Sequence, residues 1–312
     1  MTFAAIFPGQ GSQSIGMLAE FSRDYPEIKQ VFREASEVLS YDLWELTQTG
    51  PEEQLNATEH TQPALLTAGV ALWRVWQAQQ GTQPVYMAGH SLGEYTALVC
   101  AGALDFKIAV KLVEFRGQAM QQAVPQGTGA MAAVLGLDDD AVRQACTEAS
   151  QGQLVEAVNF NSPGQVVIAG NKAAVERAME LCKVKGAKRV LLLPVSVPSH
   201  CALMKPAAER LGVKLSTAAF RSPTIPVVHN VDVASHAEPD SIRQQLKAQL
   251  YSPVRWAETV EFLANQGISR LIEFGPGRVL SGLTKRINKS MEAYPVYDPQ
   301  SLQTALAAVR AP

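Results

Sequence analysis

Residues 85–95 read V-Y-M-A-G-H-S-L-G-E-Y, and the fold turns on how this stretch is parsed. An apolar run ends at Gly89, a Gly-His-Ser-Leu-Gly turn follows, and a helical pattern then carries Glu94, Ala97, Leu98 and Cys100. The parse is strand, tight elbow, helix. In a G-x-S-x-G elbow the serine is held in a cramped backbone conformation, and a Cβ at either flanking glycine would collide with the adjoining strand and helix. Ser91 would then project its hydroxyl into a crevice at the positive end of the following helix, where an oxyanion is stabilised. The pentapeptide alone fits a plain tight turn equally well; the strand before it and the helix after it favour a nucleophile.

The rest of the composition sets the class. A chain of 312 residues, 47% of them hydrophobic, can bury a sizeable core as one large α/β domain or as two. A formal charge of −2 supplies no basic field, which argues against nucleic acid and anionic membrane surfaces as partners. The opening M-T-F-A-A-I-F-P-G-Q-G has no basic n-region and breaks at Pro8, too short for a signal peptide or a membrane span, so a cytoplasmic location is expected. Cys100, Cys146, Cys182 and Cys201 include no C-x-x-C pair and read as reduced, mostly buried thiols rather than a zinc site or a disulfide framework. Cys201, beside His200, reads as a small core residue.

Upstream of the elbow, residues 3–7 form a buried strand that runs into the turn-rich P-G-Q-G-S-Q at 8–13. This segment lacks the acidic residue that a dinucleotide fingerprint places about 20 positions on, so no nucleotide site is expected. Ile28, Val31, Phe32, Ala35, Val38 and Leu39 recur at helical spacing over 25–39. Residues 41–55 read as a short helix and connection. In T-Q-P-A-L-L-T-A-G-V-A-L-W-R-V-W, Pro63 marks a first helical position, with Gln62 just before the helix and Trp73 and Trp76 in the core.

Downstream, residues 109–119 form a helix in which Arg116 lies among Leu112, Val113, Phe115 and Met120. Arg116 either snorkels to water or offers its fork to a substrate carboxylate. Between 127 and 195 the pattern runs strand, helix capped by Asp138, hairpin, helix capped by Asn171, strand. That βαββαβ order is ferredoxin-like and implies a small subdomain, residues 126–196, inserted in a larger one made of 1–125 and 197–312. Lys183, Lys185, Lys188 and Arg189 at its end form either a solvated face or a docking patch for an acidic partner.

A serine nucleophile needs a base, and the chain has five histidines. His90 adjoins the serine and should point elsewhere, His60 and His236 lie in polar loop-like sequence, and His229 ends the strand I-P-V-V-H. His200, on the proline-fixed V-S-V-P-S-H-C-A-L-M loop, is the candidate by elimination. R-L-I-E-F-G-P-G-R-V-L at 270–280 adds a strand, a turn and a helix, and residues beyond 295 read as a terminal tail with a short helix at 302–309. From the residues alone, a transferase, a serine hydrolase or thioesterase, and a noncatalytic carrier-binding subunit all stay open.

F-P-G-Q-G-S-Q, T-Q-P-A, G-H-S-L-G-E, the Arg116 helix, V-P-S-H, Q-L-Y-S-P-V-R-W and E-F-G-P-G occur together and in this order. Over essentially its whole length the sequence resembles the malonyl-CoA:acyl carrier protein transacylases of bacterial type II fatty acid synthesis. The resemblance implies an α/β-hydrolase-like large domain interrupted by the ferredoxin-like subdomain. It implies Ser91 as nucleophile, His200 as base oriented by the main-chain carbonyl of Gln249, and an oxyanion hole from the backbone amides of Gln10 and Leu92. Arg116 would hold the malonyl carboxylate, with Gln62 lining the site. Malonyl-CoA would be the donor and the phosphopantetheine thiol of acyl carrier protein the acceptor in a ping-pong reaction, with no bound cofactor and no metal. A monomer is the expected state.

Overall fold

The computed structural model describes residues 2–195 and 197–310. Ser196, within the V-S-V-P-S-H loop, lies outside the described residues, as do Met1, Ala311 and Pro312, so the expected boundary at 196 falls there too.

Among the described residues nine strands form two sheets: β1 (Phe3–Phe7), β2 (Tyr86–Gly89), β3 (Gly129–Leu135), β4 (Val155–Ser162), β5 (Gln165–Asn171), β6 (Arg189–Leu192), β7 (Val227–Val228), β8 (Arg270–Phe274) and β9 (Glu292–Val296). The larger sheet has the order β7-β2-β1-β8-β9, and every pairing in it is parallel. Helices cover both faces, so β1, F-A-A-I-F, is apolar at every position and buried throughout, as a parallel strand sealed on two sides must be. The second sheet is antiparallel with the order β4-β5-β3-β6. The protein is thus a mixed α/β fold with one parallel and one antiparallel sheet.

The helices follow the apolar stripes. Pro26–Leu39 starts on a proline whose missing N–H costs nothing at that position, and it buries Ile28, Val31, Phe32, Ala35 and Leu39 along one face. Each such side chain contributes about 1.5–3 kcal/mol on burial. Phe32 meets Trp44 edge-on at 5.0 Å, tying this helix to Leu43–Thr49.

The antiparallel sheet divides its residues by parity. Ala130, Ala132 and Val134 face the helices Asp139–Ser150 and Lys172–Val184, where they pack with Val142, Cys146, Val175 and Cys182. Met131, Val167 and Ala169 face the opposite way and pack with Val158 and Cys201, beside His200. Main-chain bonds stitch the same seam: Phe160 N donates to Val254 O at 3.0 Å, and Val254 N donates to Val158 O at 2.8 Å. The antiparallel sheet is therefore one wall of the region around Ser91.

Some sequence expectations are corrected. Pro63 lies inside the helix Thr58–Ala78, not at its start, and Gln62 is helical and buried. The helix begins early because Ala57 is extended and ends the preceding turn, although no side chain caps it. His60 belongs to the same helix and packs edge-on against Tyr41 at 5.3 Å. Asn171 occupies the N-cap of Lys172–Val184 by position, but its Oδ1 accepts from Leu154 N at 2.8 Å instead of capping. Residues beyond 295 are not a tail. Val296 ends β9, which pairs with β8, and Pro299–Arg310 buries Leu302, Ala305, Leu306 and Val309 in the main core.

Candidate active site

The elbow is built by exclusion of side chains. A Cβ on Gly89 would sit 1.9 Å from the carbonyl carbon of Gly93, and one on Gly93 would sit 2.0 Å from the carbonyl oxygen of Phe7. Only glycine allows β1, β2 and the helix Gly93–Cys100 to converge this closely. Ser91 between them has φ 52°, a left-handed conformation that costs a non-glycine residue about 1–3 kcal/mol. His200 is also left-handed, at φ 64°, where the 197–200 turn closes with Ser199 N donating to Val197 O at 2.9 Å. Both strained residues point at one spot.

There the Ser91 hydroxyl lies 2.8 Å from His200 Nε2, and His200 Nδ1 lies 2.8 Å from the main-chain oxygen of Gln249. A carbonyl oxygen can only accept, so Nδ1 carries the proton and Nε2 is left bare to accept from the serine. The imidazole is 3% exposed, and burial, helped by the Arg116 charge, lowers its pKa from 6.5 to about 3. The Gln249 carbonyl opposes that shift without reversing it. A neutral base beside the hydroxyl results.

Arg116 is 1% exposed, so it does not snorkel. Its Nη1 donates to Gln62 Oε1 at 2.8 Å, and its Nη2 donates to Gln249 Oε1 at 2.9 Å and to Ser91 Oγ at 3.3 Å. Burial lowers the guanidinium pKa from its ordinary value, while the nearby Glu94 works against that shift. The fork lies over the Tyr95 ring, with Cζ 5.6 Å from its centroid, and Nε is buried without a hydrogen-bond partner among the described residues. Gln10, Leu92, Met131 and Asn159 help line a cavity of about 130 Å³ that contains Ser91, Arg116 and His200. Among the described residues, the backbone amides of Gln10 and Leu92 have no acceptor. A larger depression of about 620 Å³, lined by Trp73, Arg74, Phe106 and Arg221, lies elsewhere and pairs no nucleophile with a base.

The structure therefore brings together Ser91, His200, Arg116, Gln10, Leu92 and Gln249, while Gln62 reaches the group through Arg116 and does not itself line the cavity. His90 turns away from the serine, as expected, and its Nε2 donates to Asn161 Oδ1 at 2.8 Å. The structure also shows groups that sequence reasoning missed. Asn230 Oδ1 accepts from Ser91 N at 2.7 Å, and the Gln249 side chain, not only its carbonyl, reaches the elbow. A signal existed for Asn230: a polar His-Asn pair directly after an apolar strand has to find buried partners.

Comparison with known proteins shows the family. The acyl transferase domain family matches residues 4–299. The chain belongs to the acyl transferase family. Within that family, it is 61% identical over 304 residues to the malonyl CoA-acyl carrier protein transacylase of Salmonella typhimurium, covering 97% of this chain and 98% of that one. A crystal structure of an acyl carrier protein S-malonyltransferase from Vibrio cholerae superposes with a TM-score of 0.96 at 62% identity, covering 98% of this chain and all of the other. A malonyl-transacylase solved in complex with its type II PKS acyl-carrier protein superposes with a TM-score of 0.98 at 60% identity, covering 99% of this chain and 100% of the other.

Proposed function

We propose that this acyl transferase moves a malonyl group from malonyl-CoA to the phosphopantetheine thiol of acyl carrier protein, for fatty acid synthesis. The observation that carries the reading is the double contact at Ser91 Oγ: a neutral imidazole at 2.8 Å and a guanidinium at 3.3 Å. Ser91 Oγ attacks the thioester carbonyl while its proton passes to His200 Nε2, and the oxyanion settles between the amides of Gln10 and Leu92. The C–S bond then breaks, and the departing sulfur of CoA takes the proton from His200. In the second half, the carrier thiol gives its proton to His200 and its sulfur attacks the malonyl ester. The Ser91 oxygen leaves and recovers the proton. Arg116 holds the malonyl carboxylate and Gln62 holds Arg116. These steps balance without a metal or a redox group.

The resemblance of the 129–192 region to a ferredoxin-like module, and of the remainder to an α/β-hydrolase-like domain, also belongs to this proposal. The order β4-β5-β3-β6 with one helix after β3 and another after β5 supports it. So does the separation of the small sheet's own core from the main one. We assign 1–125 and 197–312 to the large domain and 126–196 to the small one. Cys100, Cys146, Cys182 and Cys201 are all free thiols, which suits a reducing compartment, and the cytoplasm is the proposed location. Among the described residues, no helix is long and apolar enough to cross a membrane.

The test is intact-protein mass after mixing with malonyl-CoA, with Ser91→Ala in parallel and pantetheinylated carrier protein added afterwards. A malonyl adduct that is absent from the variant and passes to the carrier supports the reading. Free malonate released without an acceptor would replace it with a hydrolase.

A further inference from the structure

Beneath the elbow lies a buried polar cluster that the acyl-transfer steps do not use. Glu94, His229, Asn230 and Gln249 are each 0% exposed. Glu94 Oε2 accepts from Asn230 N at 3.0 Å and from Gln249 Nε2 at 2.9 Å, while Oε1 accepts from His229 Nδ1 at 2.7 Å. Asn230 and Gln249 in turn grip the nucleophile's own main chain. Asn230 Oδ1 accepts from Ser91 N at 2.7 Å and its Nδ2 donates to Gly89 O at 2.7 Å, and Gln249 Nε2 donates to Ser91 O at 3.0 Å. Both peptide units that flank the left-handed Ser91 are thus fixed by side chains from remote parts of the chain. The Gln249 amide also carries Arg116 on its Oε1, and its main-chain carbonyl carries His200.

We propose that Glu94 is the positioning residue of this site: acting through Asn230 and Gln249, it holds the Ser91 backbone, and through Gln249 it sets the Arg116 fork. One carboxylate is suited to the task because it only accepts, and here it receives three donors from two separate segments, His229–Asn230 and Gln249. Removing it leaves the Asn230 N–H, one Gln249 N–H and the His229 N–H buried without acceptors, so the clamp on both sides of Ser91 loosens together. Glutamine at this position keeps an oxygen for Asn230 and Gln249, and its amide can donate to His229 once that ring changes tautomer.

The inference rests on Ser91 as nucleophile, so two probes are needed: malonyl-CoA or acetyl-CoA for acyl transfer, and a fluorophosphonate for the bare reactivity of the serine. Rates of Ser91 labelling are read by intact mass for the wild-type chain and for Glu94→Ala, Glu94→Gln and Asn230→Ala, each checked for folding by its cooperative melt. Displacement of a reacting group by about 1 Å costs about 10²-fold in rate. Glu94→Ala and Asn230→Ala are expected to slow labelling by about that factor for all three reagents at saturation, with Glu94→Gln recovering most of the loss. A folded Glu94→Ala that labels at the wild-type rate, or a loss confined to KM, would overturn the proposal. If Glu94→Ala fails to fold, Asn230→Ala decides by the same criteria. A wild-type chain that takes fluorophosphonate but neither acyl-CoA would sink the malonyl reading alone, and the variants' fluorophosphonate rates would still judge Glu94.

Discussion

Arg116 has lost nearly all contact with water, and a guanidinium in that position is kept only where something satisfies it. In the free protein Gln62, Gln249 and Ser91 do so; a bound malonyl carboxylate would bring the missing counter-charge. An acetyl group brings none. Arg116→Ala is therefore expected to depress malonyl transfer by about 10²-fold, the worth of a charge-assisted hydrogen bond, while acetyl transfer changes little. Equal losses with both donors, measured as kcat/KM, would make the arginine a structural residue. The same charge helps hold the His200 pKa down at about 3. The acid limb of kcat/KM, which reports the free enzyme, should accordingly lie far below the usual histidine value of 6.5. Arg116→Gln removes one cause of the lowering, so its limb, followed with acetyl-CoA, should move to higher pH. Stability carries the same sign. From pH 6.5 downward the unfolded chain takes up a proton that folded His200 refuses, so this residue makes stability fall as pH falls towards 3.

Among the elements, the strand-elbow-helix unit tolerates least. Gly89→Ala would put a methyl group 1.9 Å from backbone that two other elements hold in place, and overpacking of this kind costs about 3 kcal/mol. Urea unfolding should show a lower midpoint at unchanged slope, and the variant should also lose Ser91 acylation, since relief of the clash has to move the elbow. This unit was legible in the sequence because its demands are local: glycines at fixed offsets, an apolar run before, a helical pattern after. Other elements were not. β9 contains Pro295, which reads as a breaker, yet it sits at the sheet edge where a missing N–H is tolerated. The helix Thr58–Ala78 has no side-chain cap, so its interior proline reads as its start. Ser91, His200 and Arg116 stood out by residue type and motif. Asn230, Glu94 and the side chain of Gln249 did not, because their work is defined by contacts between segments far apart in the chain.

For the whole molecule, the small antiparallel sheet is entered between Arg116 and His200. Ser91 therefore meets His200 at a separation of 109 positions, and Gln249, whose carbonyl faces the His200 ring, lies 158 positions from the serine. The sheet beneath is ordered the same way: β1 lies at its centre, and its neighbour on one side, β8, comes from the last part of the chain. Few of these contacts are available early, so loop closure has to precede the rewards of packing. In refolding from urea, tryptophan burial around Trp73 and Trp76 should recover before the capacity to acylate Ser91, which should return only with the slowest phase.

The interleaving has a consequence during synthesis. A ribosome releases the serine, and then the arginine, well before the histidine, the asparagine or the glutamine has been made. Under the proposed mechanism, the nascent chain for that interval holds a nucleophile with no base and no oriented fork, in a pool of reactive thioesters. Its chemistry is switched on by completion of the fold and not by exposure of the serine, so an unfinished chain has no means of loading itself or stripping acyl groups from its donors.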